Sequence, residues 1–233
     1  DPDTPSVVAS TIINGGGSGT VWVTRLSGNE PAVNIEGLTI TGGSMGVRVS
    51  NSNTPLSVSL KKNVICGNHG FGGVSVVEND LQLTLEGNTI ENNWAESEGG
   101  GGICLDGSYD DKIQVTMTDN IIRNNSANGS YGAGGGIHAR YVEGTWTGNT
   151  IDENSAVAYA GGIYLYDSSP VIIDNDIINN EVISDGYNRR GGGIYIEKST
   201  FGICNPTIQN NRISGNVAQG SDASSGGGLY IDS

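Results

Sequence analysis

The sequence predicts an all-β solenoid, short strands stacked coil upon coil into a rod. Three observations predict it. One phrase recurs seven times around an isoleucine: GLTITGG (Ile40), KNVICGN (Ile65), GNTIENN (Ile90), DNIIRNN (Ile122), GNTIDEN (Ile151), DNDIINN (Ile177) and NNRISGN (Ile213). Each phrase is followed by glycines and an apolar doublet that starts at Val47, Val74, Ile103, Ile137, Ile163, Ile194 or Leu229, with Val21 ahead of them. The apolar residues alternate with a period of two, as in Ile163-Tyr164-Leu165, which is the pattern of a strand with one buried face. Spacings of 26 to 35 residues between doublets mark a repeat architecture, in which no repeat buries its apolar face alone and stacking supplies the core.

Each element of the repeat follows from a column of residues. A strand before the isoleucine offers Ile35, Leu60, Leu85, Met117, Trp146, Ile172 and Ile208 as inward positions. Five residues after the isoleucine stand Met45, Gly70, Ala95, Ala127, Ala156, Val182 and Ala218. Asparagines form two further columns. Asn63, Asn88, Asn120, Asn149, Asn175 and Asn211 lie two before the isoleucine; Asn68, Asn93, Asn125, Asn154, Asn180 and Asn216 lie three after it. Asparagine suits corners, and stacked amides can hydrogen-bond from coil to coil. The columns are therefore expected to be structural ladders, the alternative being an amide-lined site. Insertions gather between the alanine column and the glycines, as in NGSYGA and QGSDASS, so one side of the rod should carry the variable loops.

The phrase N-x-I-x-x-N…G-G-G-I-Y resembles the right-handed parallel β-helix repeat of the pectate-lyase-like superfamily. It is also similar to the GGAI-type motifs of bacterial polymorphic outer-membrane proteins. The resemblance runs from Val7 to Ile231. It implies a single-stranded right-handed parallel β-helix of about seven coils, in one domain over residues 1–233. It leaves activity open, because the superfamily holds lyases, hydrolases, epimerases, adhesins and inert spacers.

Composition narrows the field. A net charge of −14 and a pI near 4.3 disfavour nucleic acid and anionic membranes as partners. No apolar run reaches the length of a membrane-spanning helix. Cys66, Cys104 and Cys204 lie in different coils and columns, so an odd set of free thiols is expected rather than a disulfide framework. An acidic chain rich in Gly, Asn, Ser and Thr fits a secreted, extracellular or cell-surface protein. It opens DPDTPSVV with no initiator methionine, as a processed or trimmed end would.

Chemistry, if there is any, belongs on the outer side of the glycine-led strand. There Cys104, His138, Tyr164, Tyr195 and Tyr230 form one stripe, and Asp106, Arg140, Tyr166, Glu197 and Asp232 a second. The loop residues Tyr131 and Tyr159 border them. In the resembled superfamily the polysaccharide groove lies on the corresponding strand, so His138, Arg140, Tyr164, Tyr166, Tyr195 and Glu197 are candidate glycan contacts. The competing reading makes Tyr164, Tyr195 and Tyr230 a cross-strand ladder that only stabilises the sheet. No catalytic residue is assigned, because the calcium and acid motifs of the resembled lyases, hydrolases and epimerases are not recognisable. No cofactor is expected. Asp110-Asp111 in DGSYDDK reads as a solvated turn, with Ca2+ as the alternative, and His69 in CGNHGFG reads as a turn residue.

The ends carry the last expectation. VVASTII reads as an isoleucine-side strand and GGGLYIDS as a glycine-led one, neither covered by a capping helix. Bare solenoid ends are templates for another chain. Val7, Val8 and Ile12 should therefore meet Leu229, Tyr230 and Ile231 of a neighbour, in a head-to-tail contact that does not close. The expected function is non-enzymatic: an extracellular structural subunit whose partner is itself, as an end-to-end homopolymer, or flanking β-helix coils. The alternative is a polysaccharide-binding or carbohydrate-active module.

Overall fold

Strands with one apolar face and one polar face, repeated in the same sense along the chain, can share a core only by lying parallel, one coil above the next. The computed structural model describes residues 11–24, 32–50, 55–77, 80–96, 99–183, 189–219 and 224–232. Its strands are short and fall into four main parallel sheets that run the length of the rod. The isoleucine sheet stacks eight strands from Ile12–Asn14 to Arg212–Ser214. The glycine-led sheet stacks eight from Gly19–Thr24 to Leu229–Asp232. A flank sheet has seven, from Ala32–Glu36 to Thr207–Gln209. A corner sheet has six, from His69–Gly70 to Val217–Gln219. Six turns thus carry all four sheets among the described residues, close to the seven or so expected.

The predicted columns are vertical neighbours. Ile40, Ile65, Ile90, Ile122, Ile151, Ile177 and Ile213 pair in that order, and all but Ile213 are essentially without solvent exposure. The flank column runs from Ile35 through Leu60, Leu85, Met117, Trp146 and Ile172 to Ile208. Together with the glycine-led doublets these form one apolar cluster, each fully buried Ile or Leu contributing about 1.5–3 kcal/mol. One expectation needs correction: Met45 leaves the alanine column and stands opposite Gly19 in the glycine-led sheet. Ile13 extends the isoleucine column by pairing with Ile40, while Ile12 pairs with Thr39.

Both asparagine columns are structural ladders. In the inner column the backbone N–H and side-chain amide of Asn93 donate to Oδ1 of Asn125, and those of Asn125 to Oδ1 of Asn154. Each amide also donates to the carbonyl of a core isoleucine on the preceding coil, Asn125 to Ile90 and Asn154 to Ile122. The other column repeats the scheme from Asn63 through Asn88, Asn120, Asn149 and Asn175 to Asn211. Buried amides are thereby satisfied, which a buried polar group requires.

Glycine marks the closest approach between coils. A Cβ on Gly135 would overlap the Ser155 carbonyl on the next coil. The three cysteines are free thiols, and no helix among the described residues is long and apolar enough to cross a membrane.

Candidate functional site

The outer side of the glycine-led sheet carries two columns, because alternate residues of a strand point away from the core. Cys104, His138, Tyr164, Tyr195 and Tyr230 pair in register, and so do Asp106, Arg140, Tyr166, Glu197 and Asp232. Segments from three successive coils lie against this face. Tyr159 bridges Ala133 on one side and Arg190 on the other, so the loops form a small parallel ladder of their own.

That ladder changes the role of two tyrosines. Tyr164 and Tyr195 point away from the rod's core but are buried, in a second apolar cluster with Ala133 and Ala160. The Tyr164 and Tyr195 rings stack at 5.5 Å, Tyr159 lies at 5.1 Å from Tyr195, and Tyr230 follows Tyr195 at 5.5 Å. Tyr195 is therefore a packing residue, closed off from a ligand, and the expectation that it contacts glycan is overturned by the loop above it. Tyr164 shows only an edge.

What remains open is a pocket of about 320 Å³ lined by Tyr131, Ala133, His138, Arg140, Tyr159, Tyr164 and Tyr166. Tyr131 stands mostly in solvent. His138 leans on Tyr164 with ring centroids 4.9 Å apart, and its Nδ1 lies 3.3 Å from the Ala133 carbonyl. Tyr166 meets Tyr141 edge to face at 6.1 Å, and Tyr141 meets Tyr109 likewise at 6.3 Å. Tyr141 holds a positive φ of 55°, a conformation rare for an aromatic residue. Glu197, beside Tyr166 in register and outside the pocket lining, accepts a 2.6 Å hydrogen bond from the Tyr164 hydroxyl.

The charges are matched rather than poised. Arg140 donates from Nε to Asp106 Oδ1 at 2.5 Å and from Nη2 to Oδ2 at 2.7 Å, a bidentate pair. Arg190 pairs with Asp232 at 2.5 Å while lying 5.0 Å over the Tyr230 ring. Burial lowers the His138 imidazole to about 4, so it is neutral near pH 7. Burial likewise pushes the Cys104 thiol up to about 11. Cys104 and His138 stand side by side in register, yet neither the thiolate nor the imidazolium of a nucleophilic dyad is favoured there. Such an arrangement can hold a ring between aromatic groups; it is poorly suited to moving a proton.

The other predicted positions fall elsewhere. Val7 and Val8 lie outside the described residues. Ile12, Leu229 and Ile231 are exposed, at 57%, 40% and 59%, and Tyr230 is half-buried. Leu229 and Ile231 pair with the core residues Ile194 and Ile196, so they extend the inner columns to the last coil. Asp110 and Asp111 form an exposed turn in which the Asp111 N–H donates to Ser108 Oγ at 3.2 Å. Among the described residues no group of three or more His, Cys, Asp or Glu side chains could hold a metal ion. His69 is not a turn residue: it lies in a corner strand beside Trp94, the rings stacked 3.2 Å apart. Asp167 was not anticipated; it is buried and accepts from the Ser199 N–H and Oγ at 2.9 and 2.6 Å.

Nothing among curated proteins or solved structures matches the chain. The family described as "Right handed beta helix region" matches twice, over residues 3–157 and 115–233. With every column stacked in parallel register and the family pattern spanning the rod, this chain is a member of the right-handed β-helix family.

Proposed function

We propose that this chain is a structural rod of an extracellular or cell-surface assembly, lengthened by further β-helix coils stacked on its two edge coils. The observation that supports this most directly is the apolar face left at the edges. Leu229 and Ile231 continue the inner columns yet are about half exposed, and Ile13, which continues the isoleucine column, is exposed at the opposite edge. A neighbouring coil would bury them at about 25 cal/mol per Å² and pair the open strand edges. The partner is a second copy, or coils of the same kind flanking this segment. Sedimentation and negative-stain electron microscopy across a concentration series test the second-copy form. Rods longer than one copy are expected, shortened by Leu229→Lys with Ile231→Lys; discrete particles one copy long at high concentration overturn it.

A second reading is favoured by the lateral pocket. Tyr131, Tyr159 and Tyr166, with polar groups at their margins, fit a carbohydrate ring better than a peptide or a nucleotide. In this reading the rod docks glycan without cleaving it, which agrees with the neutral His138 and the tied carboxylates of Asp106 and Glu197. Retention on immobilised polysaccharide, compared between wild type and Tyr131→Ala, tests it: equal retention of the two proteins rejects the pocket.

A further inference from the structure

The pocket's charge arrangement says which sugars it would take, if the docking reading just given is right. A site for acidic polysaccharide needs a cation with donors free to meet a carboxylate, since a desolvated carboxylate without a partner is strongly disfavoured. Arg140 is the one guanidinium among the described residues that line this pocket. Its Nε and one N–H of Nη2 are engaged by the two oxygens of Asp106, which neutralises its charge although Nη1 keeps its donors. The pair is partly exposed, with side-chain exposures of 46% and 26%, so Arg140 presents its edge to the pocket as half of a neutral unit. His138 is neutral and half-buried beside it. Next to Tyr166 in register stands the Glu197 carboxylate, joined to the Tyr164 hydroxyl, and the chain as a whole carries −14. Among the described residues of the lining an incoming uronate would meet no unpaired positive charge, and the net negative charge of the chain would repel it.

The same lining suits an uncharged ring. Tyr159 stacks nearly parallel to Tyr164, the planes 18° apart, and Tyr131 and Tyr166 complete an aromatic surround. Sugar C–H groups pack on aromatic faces, while hydroxyls find phenol, imidazole and carbonyl partners at the rim. The volume of about 320 Å³ is that of a small-molecule pocket rather than a long cleft.

We infer that this pocket selects neutral sugar rings, at a chain end or branch, and discriminates against uronates, with the Asp106–Arg140 pair as the specificity determinant. The pair withholds Arg140 from the ligand. Breaking it should convert the pocket to one that accepts acid.

The test uses an array carrying oligogalacturonates as the free acid and as the full methyl ester, beside neutral glucans, mannans and xylans. The probes are the wild-type chain, Tyr131→Ala and Asp106→Asn, each checked for fold by thermal melting. Wild type is expected to retain neutral sugars or the ester over the free acid, with little change between low and high salt because no ligand charge is engaged. Tyr131→Ala should weaken retention. Asp106→Asn, by freeing a guanidinium, should raise retention of the free acid about tenfold. Wild-type retention of free acid equal to or above that of neutral sugar, or with steep salt dependence, overturns the selectivity while leaving glycan docking intact. Asp106→Asn that folds and gains nothing removes the pair as determinant. Failure to retain any glycan rejects the docking reading itself.

Discussion

The side-chain amide of Asn125 donates at once to Oδ1 of Asn154 on the next coil, at 3.0 Å, and to the carbonyl of Ile90 on the preceding one, at 2.9 Å. One side chain thus ties three coils at a point with no solvent access. Apolar packing fixes which face of each strand is buried, and the amide ladder, with fixed donors and acceptors, adds a directional constraint on the same register.

Replacing this amide breaks four buried hydrogen bonds and leaves the Asn93 N–H without its acceptor. Asn125→Ala removes the acceptor for the Asn93 N–H and side-chain amide and the donor to Ile90 and Asn154. Each orphaned buried group costs about 1–3 kcal/mol, so a loss of about 3 kcal/mol or more is expected in urea unfolding. Gln82→Ala, on the exposed side of the flank sheet, should stay within about 0.5 kcal/mol. A similar small loss at Asn125 would show that the ladder adds nothing beyond packing.

Close approach of coils makes a second, steric prediction. A methyl group at Gly135 would run into the backbone of Ser155, and backbone cannot swing away as a side chain can. Gly135→Ala should therefore destabilise the rod by about 1–3 kcal/mol or more, or abolish folding. Gly16 offers the contrast: its φ is +56° and nothing lies within 4 Å of the added Cβ. Gly16→Ala bears only the backbone cost of roughly 1 kcal/mol. Thermal melts of the two variants separate crowding from conformation; equal losses would refute the crowding argument.

These columns were legible in the sequence because seven repeats average out local accidents. Ile90 and Asn125 are informative as members of a series, not singly. Where the series thins, the columns say less. Ile12 and Ile13 are adjacent isoleucines in a three-residue strand, and a shift of one residue exchanges the two faces. Met45 fits the alanine column by count, yet the glycine-led strand of its coil begins at that residue and draws it into another sheet. Of the candidate site, the outward positions were legible: His138, Arg140, Tyr166 and Glu197 follow from strand alternation. The burial of Tyr164 and Tyr195 does not, because it depends on where Tyr159 and its loop settle, and loops of varying length carry no period. The His69–Trp94 stack was missed for a related reason: a two-residue strand leaves too little pattern to separate it from a turn.

Cys104 tests how tightly the loop side is packed. Burial pushes its thiol up to about 11, from an ordinary value of 9. At a given neutral pH the thiolate fraction is then about a hundredfold lower than in the unfolded chain. In a Cys66→Ser, Cys204→Ser background, iodoacetamide should modify folded protein about a hundredfold more slowly than protein in urea. A rate within a few-fold of the unfolded one would mean the thiol is open to solvent.

The neutral His138 predicts a pH dependence with a definite sign. Its neighbours are Cys104 and Tyr164 on either side in register, the Ala133 carbonyl at Nδ1, and the Asp106–Arg140 pair alongside. Burial outweighs the attraction of Asp106 and lowers the imidazole from 6.5 to about 4. Below pH 6.5 the unfolded chain therefore takes up a proton that the folded chain refuses, and stability falls as pH drops from 6.5 towards 4; above 6.5 this group contributes no slope. The full difference corresponds to about 3 kcal/mol, less in proportion to the solvent that reaches the half-buried ring. Asp176 and Glu143, lowered by their hydrogen bonds to Arg212 and Lys112, lose stability in a separate window, as pH falls below the ordinary carboxylate range of 3.8 to 4.5. These exposed pairs contribute under about 1 kcal/mol each. Urea titrations at pH 7.5, 6 and 5 should show stability declining in wild type and a flatter profile in His138→Gln. Identical slopes in the two proteins would mean that His138 protonates in the folded state as readily as in the unfolded chain, and that the pocket wall is wetter than its packing indicates.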